Sequence, residues 1–271
     1  MTGDSSKYVL ATGAEAVRRL KVVNDVHGND SRALLQKAGL KPGMKVADIG
    51  CGTGNLTLWM AEWISPMGSV NGVDISEGQI QQARENANGL GLKNTSFTVA
   101  SAYDTGLPKG GYDLVYSRFL LMHLDNPFRA LREMSALVKP GGVLVCEDGD
   151  FKSPFSIPEN RDYERCFELY CMAGESEHAH FQVGLELYRM FLDLGYAKPN
   201  VVLVQPVIAE GEAKRLPEWT LEECSPLLIN RGLAKKEEID ALLLRLSKLA
   251  QDRTVLFAMA RMTQVWAEKQ A

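Results

Sequence analysis

Between Val46 and Cys146, short apolar runs alternate with helical stretches, and closely spaced glycines stand where the first run gives way to the first helix. Val46–Ile49, Ser69–Val73, Thr95–Ala100, Tyr112–Ser117 and Gly142–Cys146 are predicted strands. Asn55–Ile64 and Glu77–Leu90 are predicted helices, and Phe128, Leu131, Met134 and Val138 recur at helical spacing. Buried strands separated by helices of about 10–15 residues build βαβ units and a mostly parallel sheet. The order predicts an α/β fold.

The flanks read differently. Glu15–Val26 and Ser31–Ala38 are predicted as two leader helices, closed by Gly39 and the Lys41-Pro42-Gly43 turn. After Glu147 the rhythm breaks into an aromatic-rich stretch, Phe151–Phe181, with a helix predicted over Arg161–Met172. A helix over Leu185–Leu194 and a strand over Val201–Val207 follow. Lys214–Gln251 reads as two helical pieces, the second carrying the stripe Ile239, Leu242, Leu243, Leu246 and Leu249, and Thr254–Met262 reads as a last strand. Residues 1–40 are thus a helical leader. Residues 41–271 form the main domain, with helical insertions at about 151–182 and 210–251. Insertions at that edge of an α/β core commonly build lids.

Composition narrows the function classes. Thirty basic against 34 acidic residues leave a net charge of −4, which argues against a nucleic-acid partner bound through a general basic surface. No apolar stretch approaches the roughly 18 residues of a membrane span. The opening MTGDSSKYVL lacks the basic and apolar regions of a secretory signal. Five scattered cysteines read as reduced thiols, so a cytoplasmic location is expected.

Chemistry concentrates on Val46-Ala47-Asp48-Ile49-Gly50-Cys51-Gly52-Thr53-Gly54-Asn55. Ligands of open α/β sheets bind at the carboxyl ends of strands, where a helix amino end is also exposed. Glycines there let the backbone turn tightly and let a ligand approach where a Cβ would intrude. The same residues also suit a tight turn with no ligand. A dinucleotide site expects G-x-G-x-x-G, whereas this loop is G-x-G-x-G with Asp48 two residues ahead. Asp74, 20 residues beyond Gly54, ends the second strand. A carboxylate there can accept both hydroxyls of a ribose in charge-assisted bonds, or it can cap the next helix in competition with Ser76.

Taken together, residues 42–149 resemble the core of class I S-adenosylmethionine-dependent methyltransferases. The closest style is the small-molecule branch that includes ubiquinone and menaquinone biosynthesis methyltransferases. VADIGCGTGNLT, VNGVDIS, GYDLVYSRFLLMHLDNP and LVKPGGVLVCED match four of the family's motifs in order. The leader with Tyr8 and Arg19 resembles one that closes over the cofactor. The resemblance implies a Rossmann-like, doubly wound, mostly parallel seven-stranded sheet with a helical leader and lid insertions, and S-adenosylmethionine as cofactor. By position, Asp48, Gly50, Gly52 and Gly54 would hold the cofactor's methionine part, with Cys51 a small space-filler in the same loop. Asp74 would hold the ribose, Ile75 would pack on the adenine, and Ala102 and Tyr103 would flank it. Ser117 and Arg118 would line the sulfonium side. Ser101 departs from the family, which usually has an acid there to accept from the adenine amine; a neutral hydroxyl should bind more weakly.

Methyl transfer from a sulfonium is an in-line displacement that depends on positioning, and a general base helps only where the nucleophile loses a proton. His123, after the fourth strand, is a candidate catalytic or substrate-binding residue, or part of a capped turn before Asn126-Pro127. Arg118 could bind a substrate carboxylate or pair with Asp125 or Glu147. Glu147 and Asp148 end the fifth strand and could orient substrate. Tyr163, Phe167, Tyr170 and Met172 form an aromatic face, readable as core or as an apolar lid over a planar acceptor. His178 and His180 lie near Glu175 and Glu177 at a spacing that could suit a metal, but without a further ligand set they read as solvated polar residues, and no metal is expected. His178 is also a candidate substrate-binding residue in the lid.

The reading is therefore a methyltransferase for a small, aromatic or lipophilic acceptor at O, N or C, with the lids a candidate homodimer interface. A macromolecular substrate is the alternative, disfavoured because Tyr112–Ser117 lacks the Asn/Asp-Pro-Pro-Tyr/Phe signature and no Pro-Cys dipeptide occurs. A lapsed cofactor-binding protein and a nicotinamide oxidoreductase are further rivals.

Overall fold

The computed structural model describes residues 14–270, and Tyr8 lies outside them. Helix α1 (Ala14–Lys37) precedes the alternation β1 (Lys45–Ile49), α2 (Asn55–Trp63), β2 (Ser69–Asp74), α3 (Glu77–Gly89), β3 (Thr95–Val99), β4 (Tyr112–Arg118), α4 (Pro127–Leu137) and β5 (Val138–Asp150). Then come β6 (Phe155–Ile157), α5 (Arg161–Ser176), α6 (Leu187–Asp193), β7 (Asn200–Val204), β8 (Val207–Ile208), α7 (Leu216–Asn230), α8 (Lys236–Gln251), β9 (Leu256–Ala258) and β10 (Arg261–Glu268).

Seven strands form one sheet in the order β3-β2-β1-β4-β5-β10-β7. The first five run parallel, while β10 is antiparallel to both β5 and β7. The chain order therefore reverses between β1 and β4, which opens a crevice at their carboxyl ends. Side chains alternate across the sheet as a period of two requires. Val46, Leu114, Tyr116, Val145 and Trp266 face Leu34 and Leu35 of α1 and Met60 and Ile64 of α2. Ala47, Ile49, Val115, Leu144, Cys146 and Val265 face the opposite core with α4 to α8.

The leader departs from the expected two helices. Gly28-Asn29-Asp30 reads locally as a break, yet α1 continues through it. Glycine inside a helix costs about 1 kcal/mol relative to alanine. Against that, His27, Ser31, Leu34 and Leu35 bury one continuous face. Arg118 also donates from Nη2 to Asn24 Oδ1 (3.1 Å) and from Nη1 to Ser31 Oγ (3.0 Å), bridging the turn that contains Gly28.

Two predicted strands are each split. Val201–Val207 divides at Gln205-Pro206 into β7 and β8, and Thr254–Met262 divides at Met259-Ala260 into β9 and β10. The piece after the first break, β8, and the piece before the second, β9, join β6 in a second, antiparallel sheet ordered β6-β9-β8. Gln205 Nε2 locks the corner by donating to Ser153 O (3.0 Å) and Met259 O (2.8 Å). The fifth strand is also longer than Gly142–Cys146, because β10 pairs with it as far as Asp150. Helix α5 packs on the small sheet, and α7 and α8 pack on α5. Tyr163 of α5 donates its hydroxyl to Ala258 O (2.9 Å), and the buried Lys214 donates to Val255 O (2.8 Å). Arg19 of α1 meets Glu223 of α7 at 3.0 Å in a pair about one-tenth exposed on each side. No helix among the described residues is long and apolar enough to cross a membrane.

Candidate active site

The glycine loop is built by its neighbours. Gly50 and Cys51 donate their N–H groups to Val73 O at the end of β2 (2.8 and 3.0 Å), which turns the chain over the β1–β2 edge. Gly50, Gly52 and Gly54 have φ of +75°, +56° and +83°, conformations that side chains rarely adopt. A Cβ on Gly50 would lie 3.0 Å from Leu120 Cδ1, and one on Gly52 would lie 3.2 Å from Gln79 Oε1. The loop is thus a bare backbone cradle at the sheet's reversal point.

Asp74 faces that cradle. Its Oδ2 accepts Gly52 N–H (2.9 Å) and its Oδ1 accepts Ser76 N–H (2.9 Å). The Ile75 backbone N–H also bonds this carboxylate, and the lone-pair directions that remain are open to a ligand hydroxyl. Capping falls to Ser76, whose Oγ accepts Gln79 N–H at the start of α3. Asp48 is buried and accepts from Thr57 Oγ1 (2.5 Å). Burial pushes its carboxyl up to about 6, opposed by the Thr57 hydrogen bond and by Arg118. Burial also raises the Cys51 thiol, so it stays protonated.

These residues line one cavity with Ile75, Ser101, Ala102, Tyr103, Arg118 and His123. Leu20 and Val23 of α1 roof it, and Leu120 and Leu124 close its far side. Ser101 Oγ accepts Tyr103 N–H (3.2 Å), and the Tyr103 hydroxyl donates to Asp125 while accepting Asn126 N–H (3.0 Å). Ile75 is half exposed, an apolar side chain beside the carboxylate of Asp74. A bare backbone loop, a carboxylate with free lone pairs and a flanking apolar residue fit an adenosyl ligand.

A second cavity opens behind the first and shares Leu20, Val23, Phe119 and His123 with it. Its remaining lining is largely apolar and includes Met122, Phe151, Phe167, Tyr170, Leu216 and Met259, with Arg19, His27 and Thr220 as charged or polar members. Phe119, at the junction, has φ of +52°, a strained value for a bulky side chain that concentrates at functional sites. Its ring meets His27 edge-on at 5.1 Å and Phe151 at 6.1 Å. His123 sits in the turn Leu121–His123, which Asp148 holds by accepting Leu121 N–H at 2.8 Å. Burial, aided by the charge of Arg19, lowers His123 to about 3.

Other sequence candidates lie elsewhere. Gly54 begins α2 outside the lining, where a Cβ would lie 3.2 Å from Ala83 of α3. Ser117 points away from the cavity because neighbouring residues of β4 alternate, and Tyr116 and Arg118 are the ones that face it. Arg19 borders the second cavity and not the first. Glu147 is buried between Gln264 Nε2 (2.9 Å) and the Tyr116 hydroxyl, so it pairs with neither cavity nor Arg118. Tyr163 is core, whereas Phe167 and Tyr170 reach the second cavity. His178 is exposed in the first insertion. Among the described residues no cluster of three or more His, Cys, Asp or Glu is arranged to hold a metal ion.

Residues 40–192, more than half the chain, match the family model described as a methyltransferase domain. An uncharacterized methyltransferase of Schizosaccharomyces pombe is 27% identical over 233 residues, covering 83% of this chain and 78% of its own length. A demethylmenaquinone methyltransferase of Bacillus cytotoxicus is 33% identical over 175 residues, covering 60% of this chain and 73% of its own. Other curated relatives are matched over about half their length, 46 to 51%. Among solved structures, the phosphoethanolamine N-methyltransferase 2 of Haemonchus contortus in complex with S-adenosyl-L-methionine superposes with a TM-score of 0.57 at 18% identity. That likeness covers 90% of this chain and 53% of the other. With its glycine cradle, ribose-compatible carboxylate and seven-stranded sheet, the chain belongs to the class I S-adenosylmethionine-dependent methyltransferases, and S-adenosylmethionine is its cofactor.

Proposed function

We propose that this methyltransferase acts on a small, planar or lipophilic organic acceptor seated in the second cavity. The carrying observation is that this apolar cavity meets the glycine-loop cavity along Leu20, Val23, Phe119 and His123. Bound S-adenosylmethionine supplies an electrophilic methyl group on sulfur. Asp74 accepts the ribose hydroxyls, and Ile75, Ala102 and Tyr103 pack around the adenine. Gly50 and Gly52 give the methionine part room against the backbone, with Asp48 beneath it. Phe119 and His123 then line the passage between methyl donor and acceptor.

An apolar passage suits the reaction, because positive charge disperses as the methyl leaves and water is excluded from the nucleophile. His123, held neutral at ordinary pH, accepts a hydrogen bond from an acceptor hydroxyl and orients it in line. With its affinity for a proton depressed, it contributes positioning more than proton storage. Arg118 ties α1 over the cofactor through Asn24 and Ser31, a positioning role. The name of the Bacillus relative supports a quinone-type acceptor ring, and the net charge of −4 favours a small molecule over a nucleic acid.

The test is a methylation assay with S-adenosylmethionine and a panel of phenols, hydroquinones and amines, read as a gain of one methylene in product mass. Turnover of an aromatic acceptor, abolished in Phe167→Trp at unchanged cofactor affinity, is the expected result. Equal turnover by native enzyme and Phe167→Trp would remove the acceptor from the second cavity.

A further inference from the structure

His27 stands on α1, two turns beyond the cofactor-roofing Leu20, and its ring borders the second cavity. It is 5% exposed, and no motif of the sequence pointed to it. Its backbone carbonyl accepts Ser31 Oγ at 3.1 Å, in ordinary helical back-bonding. Its ring Nδ1, by contrast, is buried with no hydrogen-bond partner among the described residues. Leaving a buried polar nitrogen unpaired is unfavourable, so a side chain kept in that condition beside a cavity needs a reason. Packing alone would be served better by leucine or phenylalanine, because the ring meets Phe119 and the cavity it borders is largely apolar.

Two features keep the ring available. The edge-on contact with Phe119 at 5.1 Å and 82° fixes the imidazole plane, so its orientation is set before a ligand arrives. Burial and the nearby Arg118 charge lower its pKa to about 3, so the ring is neutral and offers one N–H donor and one lone pair. An uncharged donor-acceptor pair set in an apolar wall matches a molecule that is mostly ring and carries one hydroxyl or carbonyl. Sites of that kind reject analogues lacking the polar group, because the protein's own buried atom is then left unpaired.

We propose that His27 is a specificity-determining residue that hydrogen-bonds the polar group of the methyl acceptor, making the acceptor class an oxygen-bearing aromatic molecule. This rests on the reading of the second cavity as the acceptor site. His27 and His123 then approach the acceptor from different elements, the leader helix and the turn after β4. The leader contributes to acceptor choice as well as to covering the cofactor.

The experiment titrates the full chain, loaded with S-adenosylhomocysteine, with 1-naphthol and with naphthalene, its hydroxyl-free counterpart. Native protein should hold 1-naphthol at least tenfold tighter than naphthalene. His27→Leu should bring the ratio close to one, with naphthalene affinity within about threefold of native. His27→Gln, which keeps a donor and an acceptor, should retain at least a threefold preference even where leucine disturbs α1. Unchanged S-adenosylhomocysteine affinity in each variant checks the fold. A preference that persists undiminished in His27→Leu, or native protein that binds both probes equally, would overturn the role of His27. Failure of native protein to bind either probe would overturn the acceptor-site reading itself, and the assignment of His27 with it.

Discussion

The two cavities meet at Phe119 and His123, yet they are assembled in different ways. The cofactor side comes from short, nearly contiguous stretches at strand ends, namely 48–56, 73–79, 100–103 and 116–124, with only Leu20 and Val23 arriving from α1. The acceptor side takes scattered residues from α1, the turn after β4, the segment after β5, α5, α7 and the corner before β10. On the first side, backbone conformation and one carboxylate do the binding. Residue identity there is constrained by φ and by neighbours such as Leu120 and Gln79. On the second, side-chain shape decides, and many apolar residues of similar volume would serve. A family can therefore keep its cofactor while changing its acceptor through substitutions scattered over the lids.

That difference can be broken most forcefully at Gly50. Valine there would carry a branched side chain at a positive φ and a Cβ 3.0 Å from Leu120. Affinity for S-adenosylmethionine, measured by calorimetry, should fall about a thousandfold, roughly 4 kcal/mol, while naphthalene still binds the second cavity. Parallel loss of both ligands would show that the cavities are not independently built. The converse test is Arg19→Met, which removes the charge that meets Glu223 between α1 and α7. Removing one partner of a buried pair costs about 3 kcal/mol, so urea unfolding should register that loss, with acceptor turnover falling more than cofactor affinity. A native-like midpoint would mean that the α1–α7 pair contributes nothing.

Legibility from the sequence follows the same division. The five parallel strands, the glycine cradle and Asp74 could be read because their signals are local: a period of two, a glycine spacing and a fixed separation. The continuity of α1 through Gly28 could not be read, since it depends on Arg118, 87 residues away from Ser31. The corners at Gln205 and Met259 were equally hidden, because they depend on hydrogen bonds between segments about 54 residues apart. Ser117, Gly54 and Glu147 carried motif positions into the site region, but strand alternation and helix packing turned them elsewhere. His27 had no local signal at all. Its only distinguishing mark is an unpaired nitrogen that the fold reveals.

A smaller effect sharpens the junction. Burial raises Asp148 from the ordinary carboxyl value to about 7, while it holds the Leu121–His123 turn. Between its unfolded pKa near 3.8 and that folded value, the native state binds the extra proton, so this group's stabilising contribution is lost as pH rises through the window. Asp148→Asn should remove that slope, so the variant's stability relative to native should increase from pH 4 to pH 7 by on the order of 2 kcal/mol. Denaturant melts across that range check it, and a difference independent of pH would reject the assigned cause. Smallest of all, Ser101→Asp should tighten S-adenosylmethionine binding a few-fold if the position faces the adenine amine, through a charge-assisted bond. Equal or weaker binding would move the adenine away from Ser101.

The most direct measurement is a crystal structure of the enzyme with S-adenosylhomocysteine and 1-naphthol. The account predicts the ribose hydroxyls on Asp74, the ring within the second cavity, and its oxygen hydrogen-bonded to His27 or His123 on the side facing the sulfur. A ring bound outside that cavity, or a ribose away from Asp74, would contradict it.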